Sequence, residues 1–165
     1  MIISMMSIAD ADLAGLVYAA APGALLEDVI EYQTEAMARS MISDESELPA
    51  AKAQARERFM QMLNSAASLR DGLEYNALEL AASVQAPAIV VQGEHDWQVR
   101  AEQAPALTTA IERSGQPVEM HVFQDVNHLL INDPSHAQDY SGLTDLDLDP
   151  RLTASVVAWL ARQAG

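Results

Sequence analysis

The chain has 165 residues, half of them apolar and a fifth charged, which suits one globular domain with a core of its own. Its formal net charge is −15, from 24 acidic and 9 basic residues, which argues against a broad electrostatic face for nucleic acid or an anionic membrane. It has no cysteine, so disulfides and thiolate metal sites are excluded.

The first eight residues, "MIISMMSI", are largely apolar but carry no basic flank. They are too few for a membrane span and lack a signal peptide's charge pattern, so the expected location is cytoplasmic. "LAGLVYAAAPG" (13–23) reads as a short buried strand closed by a Pro-Gly turn. From Leu25 to about Met41 the pattern is helical, with Leu26, Val29, Ile30, Gln33 and Met37 near one face. "SDESELP" (43–49) breaks it, and Ser46 is the expected cap of a second helix with Pro49 in its first turn. Phe59, Met62, Leu63, Ala66 and Leu69 then form a one-sided apolar stripe. This Ala- and Met-rich pair reads as a compact helical cap over about 24–80. A cofactor groove is the sharper alternative, but no cofactor is expected.

"AIVVQGEHDWQVR" (88–100) is a buried strand that runs into Gly-Glu-His-Asp. A helix follows from about Glu102 to Arg113, which Gly115 can terminate. "PVEMHVFQ" (117–124) sets Val118, Met120 and Val122 against Glu119 and His121, as a half-exposed strand does. A long polar loop leads to "DPRLTASVVAWLARQ", with Asp149 as cap, Pro150 at the first helical position and an apolar face of Leu152, Val156, Trp159 and Leu160. Strands alternating with helices predict an α/β chain, about three mostly parallel strands covered by helices.

In such sheets reactive groups gather at the carboxyl ends of strands. One end here carries Glu94, His95 and Asp96; the next carries Asp125, Asn127 and His128. Parallel neighbouring strands would put Asp96 and His128 on the same edge. An Asp bonded to one imidazole nitrogen fixes the tautomer, and the other nitrogen then serves as general base. The residues alone leave a second account open, in which Asp96 makes a turn and His128 is a hydrogen-bonded loop residue. His95 and His121 read as surface residues. His128, Asp133, His136 and Asp139 match no standard metal spacing, so no metal is expected. Trp97 is read either as pocket lining or as packing.

These residues carry a resemblance. "APAIVVQGEHDWQV" resembles the α/β-hydrolase segment that presents the acid of the catalytic triad, and "VEMHVFQDVNHLL" resembles the strand and turn that present its histidine. The order of the whole chain is similar to the C-terminal half of that superfamily, in its esterase and peptidase-like branch. The resemblance implies Asp96 as acid and His128 as general base, in a hydrolase of carboxylic esters or related small acyl compounds. The family's Gly-x-Ser-x-Gly nucleophile elbow does not occur in these 165 residues. Ser4 and Ser7 are closest in sequence to where it would stand. Without it, the alternative is a catalytically silent C-terminal hydrolase fragment that acts as a dimerising or partner-binding module. The strand at 15–20 would expose an edge, so a homodimer through that edge is expected.

Overall fold

The computed structural model describes residues 2–10, 12–65, 76–136 and 140–163. Its elements are α1 (Ile2–Ala9), β1 (Leu16–Ala19), α2 (Leu26–Met41), α3 (Leu48–Ser65), α4 (Ala77–Ala81), β2 (Ala88–Gly93), α5 (Ala104–Arg113), β3 (Val118–Phe123) and α6 (Pro150–Gln163). The three strands form one parallel sheet in the order β1-β2-β3, with Leu16 opposite Ala88 and Ala88 opposite Val118. The sheet and its flanking helices have the architecture of the C-terminal part of an α/β-hydrolase fold.

The uninterrupted apolar run of β2 is explained by its place. It is the central strand, and all six of its residues are buried. Alternate side chains go to opposite faces. Leu16, Tyr18, Ala88 and Val90 meet Ala104, Leu107, Ala110 and Ile111 of α5. Ile89 and Val91 meet Leu152 and Trp159 of α6, with Val17 and Phe123 at the margin. The Trp159 ring lies so close to Gly15 that a Cβ at that position would overlap it. Gly115, at φ +81°, ends α5 as the sequence suggests.

The structure moves several faces from where periodicity put them. On β3, Met120 and Val122 are 40% and 43% exposed. β3 is an edge strand, and α5 covers only its start, at Val118. On α2 the buried line is Val29, Ile30, Thr34 and Ala38. Gln33 and Met37 turn instead toward the loop after β2, where Gln33 Nε2 donates to the Gln98 carbonyl at 2.9 Å. Leu160 of α6 is exposed. Asp44, rather than Ser46, makes the cap: its carboxylate accepts from Ser46 N at 2.9 Å and opens a 3-10 turn at Glu45–Glu47 that leads into α3. Ala66 and Leu69 lie outside the described residues. In the rest of the stripe Leu63 is buried and Met62 exposed. No helix among the described residues is long and apolar enough to cross a membrane.

Candidate active site

Gly93 is the last residue of β2, and its role is close approach rather than an unusual backbone angle. A Cβ there would overlap the Val126 carbonyl, so only glycine lets the chain after β3 cross against β2. Backbone bonds stitch the two strand exits together: Glu94 N donates to Phe123 O at 2.9 Å and His95 N to Val126 O at 3.0 Å. Asp96 and His128 thereby reach each other from adjacent strands.

Asp96 Oδ2 lies 2.9 Å from His128 Nδ1. The Asp96 side chain is fully hidden, and that of His128 is 27% exposed. Three more donors hold the carboxylate: Gln98 N and Val99 N at Oδ1, both at 2.8 Å, and Gln92 Nε2 at Oδ2, also at 2.8 Å. Four bonds fix the acid in one rotamer. An ionised carboxylate only accepts, so Nδ1 carries the proton and Nε2 is left to take another.

The loop that presents His128 is equally tied. Buried Asn127 accepts from Leu129 N at 2.9 Å through Oδ1, and its amide donates to Asp133 at 3.3 Å. Leu130, at φ +61°, turns the chain back so that Val126 pairs with Asn132. Asp149 N donates to Leu130 O at 2.9 Å, and Ile131 pairs with Leu148, which joins this loop to the start of α6. Asp149 caps that helix through Arg151 N at 2.8 Å. The Arg151 guanidinium, 2.7 Å away, holds the Asp149 carboxyl below the ordinary carboxylate range.

A cavity of about 330 Å³ lies between the helix pair and the turn after Asp96, lined by Gln33, Met37, Phe59, Met62, Trp97 and Gln98 among others. Trp97 thus lines a cavity, and its ring also meets Tyr140 at 6.1 Å. Burial pushes the Tyr140 phenol above its usual pKa. On the other side of the turn Arg100 stacks on the Tyr32 ring of α2, 4.3 Å from its centre.

The other residues singled out in the sequence fall elsewhere. Ser4 Oγ bonds the Tyr18 hydroxyl at 2.6 Å, and Ser7 Oγ accepts from Gln85 N at 2.9 Å. Both serines are buried and hold α1 in place. Gln85 precedes β2, so Ser7 sits at the amino edge of the sheet, a strand length of about 20 Å from the Asp96 end. Ser7 is therefore far from His128, and the Ser4 hydroxyl is engaged with Tyr18. His121, on β3, lies 3.7 Å from Glu119 and away from the strand exits. His128, Asp133 and His136 do not converge: His128 faces Asp96 and Asp133 holds Asn127 and Ser135. Asp139 lies outside the described residues. Instead, His95, Asp125 and His136 come together. Gln92 was not singled out by motif, though a lone amide in the run "AIVVQG" is its signal: a buried polar side chain needs a partner.

Comparison with curated protein sequences gave no significant match. Residues 30–164 match the family model of the prolyl oligopeptidase family, a span that includes β2, β3 and both residues of the Asp96–His128 pair. The chain belongs to the prolyl oligopeptidase family, within the α/β-hydrolase superfamily.

Proposed function

We propose that Asp96 and His128 are the acid and the general base of a hydrolase acting on carboxylic esters or related small acyl compounds. The observation that carries this reading is the 2.9 Å bond between His128 Nδ1 and a carboxylate with no exposed surface and four donors. In the reaction, His128 Nε2 removes a proton from an attacking hydroxyl or water as its oxygen bonds to the acyl carbon. The tetrahedral intermediate then collapses, and the departing alkoxide takes that proton from the imidazolium. Attack by water yields one carboxylic acid and one alcohol. Attack by a hydroxyl of the protein gives an acyl-enzyme that water then cleaves. The apolar cavity lined by Met37, Phe59, Met62 and Trp97 suits an acyl chain or apolar side chain.

A fluorophosphonate probe, read by peptide mapping, and turnover of an activated ester test the reading. Turnover that depends on His128 supports it, and a mapped adduct names the nucleophile. Turnover unchanged in His128→Ala overturns it.

A second reading has its own observation. β1 pairs on one side only within the described sheet, and Met5, Met6 and Ile8 of α1 are exposed beside it. A second copy of the chain, pairing β1 edge to β1 edge, would cover that surface, and the chain would then act as a dimerising module. Light scattering at micromolar concentration tests this, and a clean monomer would exclude it.

A further inference from the structure

His95 leaves β2, Asp125 follows β3 and His136 lies on the loop beyond. Candidate ligand atoms of these three residues all lie within 4.8 Å of one another. His95 Nε2 and His136 Nε2 are 3.5 Å and 3.4 Å from the same oxygen, Asp125 Oδ1. The two imidazoles stack, with ring centres 3.4 Å apart and planes inclined by 22°. These N···O distances are long for N–H···O hydrogen bonds, which favour about 2.7–3.2 Å. In this stacked arrangement the two in-plane lone pairs run nearly side by side, so a common ion requires the exposed His136 ring to turn until both nitrogens face it. With Zn–N and Zn–O bonds of about 2.0–2.2 Å, tetrahedral ligands stand roughly 3.3–3.6 Å apart. Glu94 Oε2, 3.6 Å from His95 Nε2, is within reach as a fourth ligand.

Two of the three residues adopt backbone angles that cost energy outside glycine: Asp125 has φ +58° and His136 φ +55°. The side chains remain accessible, at 27% for His95, 36% for Asp125 and 49% for His136, so an ion can enter from solvent. Two imidazoles with one or two carboxylates suit zinc and disfavour calcium or magnesium, which take oxygen sets. A chain of net charge −15 also attracts cations.

We propose that His95, Asp125 and His136, with Glu94 in reach, bind a zinc ion that fastens the exit of β2 to the exit of β3. His95 adjoins Asp96 in sequence, and Asp125 precedes His128 by three residues. The ion would therefore clamp the two turns that carry the Asp96–His128 pair. The proposal stands whether or not that pair is catalytic.

The test uses the full chain, stripped by chelator. Calorimetric titration with Zn²⁺ is expected to show one equivalent bound. Affinity should fall at least about tenfold in His95→Ala, His136→Ala and Asp125→Asn, and hold in His121→Ala. Asp125→Asn keeps the side chain's shape, which guards against a variant that fails to fold. The wild-type chain loaded with Co²⁺ should give the visible absorption of a tetrahedral site, which reads the ligand set with no substitution at all. No saturable uptake would overturn the proposal. So would wild-type affinity in His95→Ala and His136→Ala, or uptake that depends on His128 rather than His136.

Discussion

At Asp96 the carboxylate is hidden and accepts four hydrogen bonds; at Asp125, on the next strand exit, the carboxylate is open to solvent and faces two imidazoles at 3.4–3.5 Å. Three of the chain's four histidines lie at this edge, shared between the two centres. The difference is one of commitment. The Asp96 carboxylate has its acceptors engaged within the fold, so it orients one ring and leaves the other ring nitrogen outside their bond. The Asp125 oxygen meets both rings at long range, with a 3.4 Å hydrogen bond to His136, and this loose arrangement is the one proposed to take an ion. The same residue types give a fixed dyad in one place and a ligand set in the other, and burial with hydrogen-bond saturation separates them.

Replacing His128 by Ala should break the first centre most severely. Ester turnover is expected to fall about 10²–10⁴-fold, the usual worth of a positioned general base, while His121→Ala keeps the wild-type rate. Asp96→Ala should cost stability as well as turnover. It strands one N–H of the Gln92 amide, whose other bond to the Val99 carbonyl remains, two backbone N–H groups and the His128 ring, so a loss of about 3 kcal/mol is expected in urea unfolding. Gly93→Ala should sharpen the comparison, because it pushes on Val126 and through it on both exits. We expect about 1–3 kcal/mol of destabilisation from the forced shift, and turnover reduced in the protein that remains folded.

The smallest effect belongs to Asp149→Asn. Arg151 depresses the Asp149 pKa in the folded chain, so the group's contribution is present above the unfolded carboxylate value of about 3.9 and is lost as pH falls through the lower folded value. Wild type should exceed Asp149→Asn by about 2 °C in Tm near neutral pH, a modest amount because Arg151 is half exposed. Thermal melts at decreasing pH should bring the two together below about pH 4.

Much of this architecture was legible in residue order. The apolar run 88–92 marked the central strand because burial on both faces leaves no polar position to alternate with. Asp149-Pro150 marked the start of α6 to the residue. The pairing of Asp96 with His128 followed from two strand ends that a parallel sheet places side by side. Faces were harder to read. Met120 and Val122 alternate as core residues do, yet they are exposed, because what covers an edge strand depends on how far α5 reaches over it. The His95–Asp125–His136 cluster was hidden for a related reason. Its members lie 30 and 11 residues apart, and only the crossing permitted by Gly93 brings them together.

The bonds from Leu130 and Ile131 to Leu148 and Asp149 make the His128 loop part of the chain's last structural unit. These contacts predict that the dyad assembles late in folding: β2 carries Asp96, whereas the loop carrying His128 is tied to the start of α6, which packs on the sheet through Trp159. The amides of Asn127, Leu130, Asp133 and Asp149 should accordingly exchange with solvent at one common rate, as a single cooperative opening. Substitutions that loosen Trp159 over Gly15 should speed that opening, transmitting a packing defect to the Asp96–His128 pair.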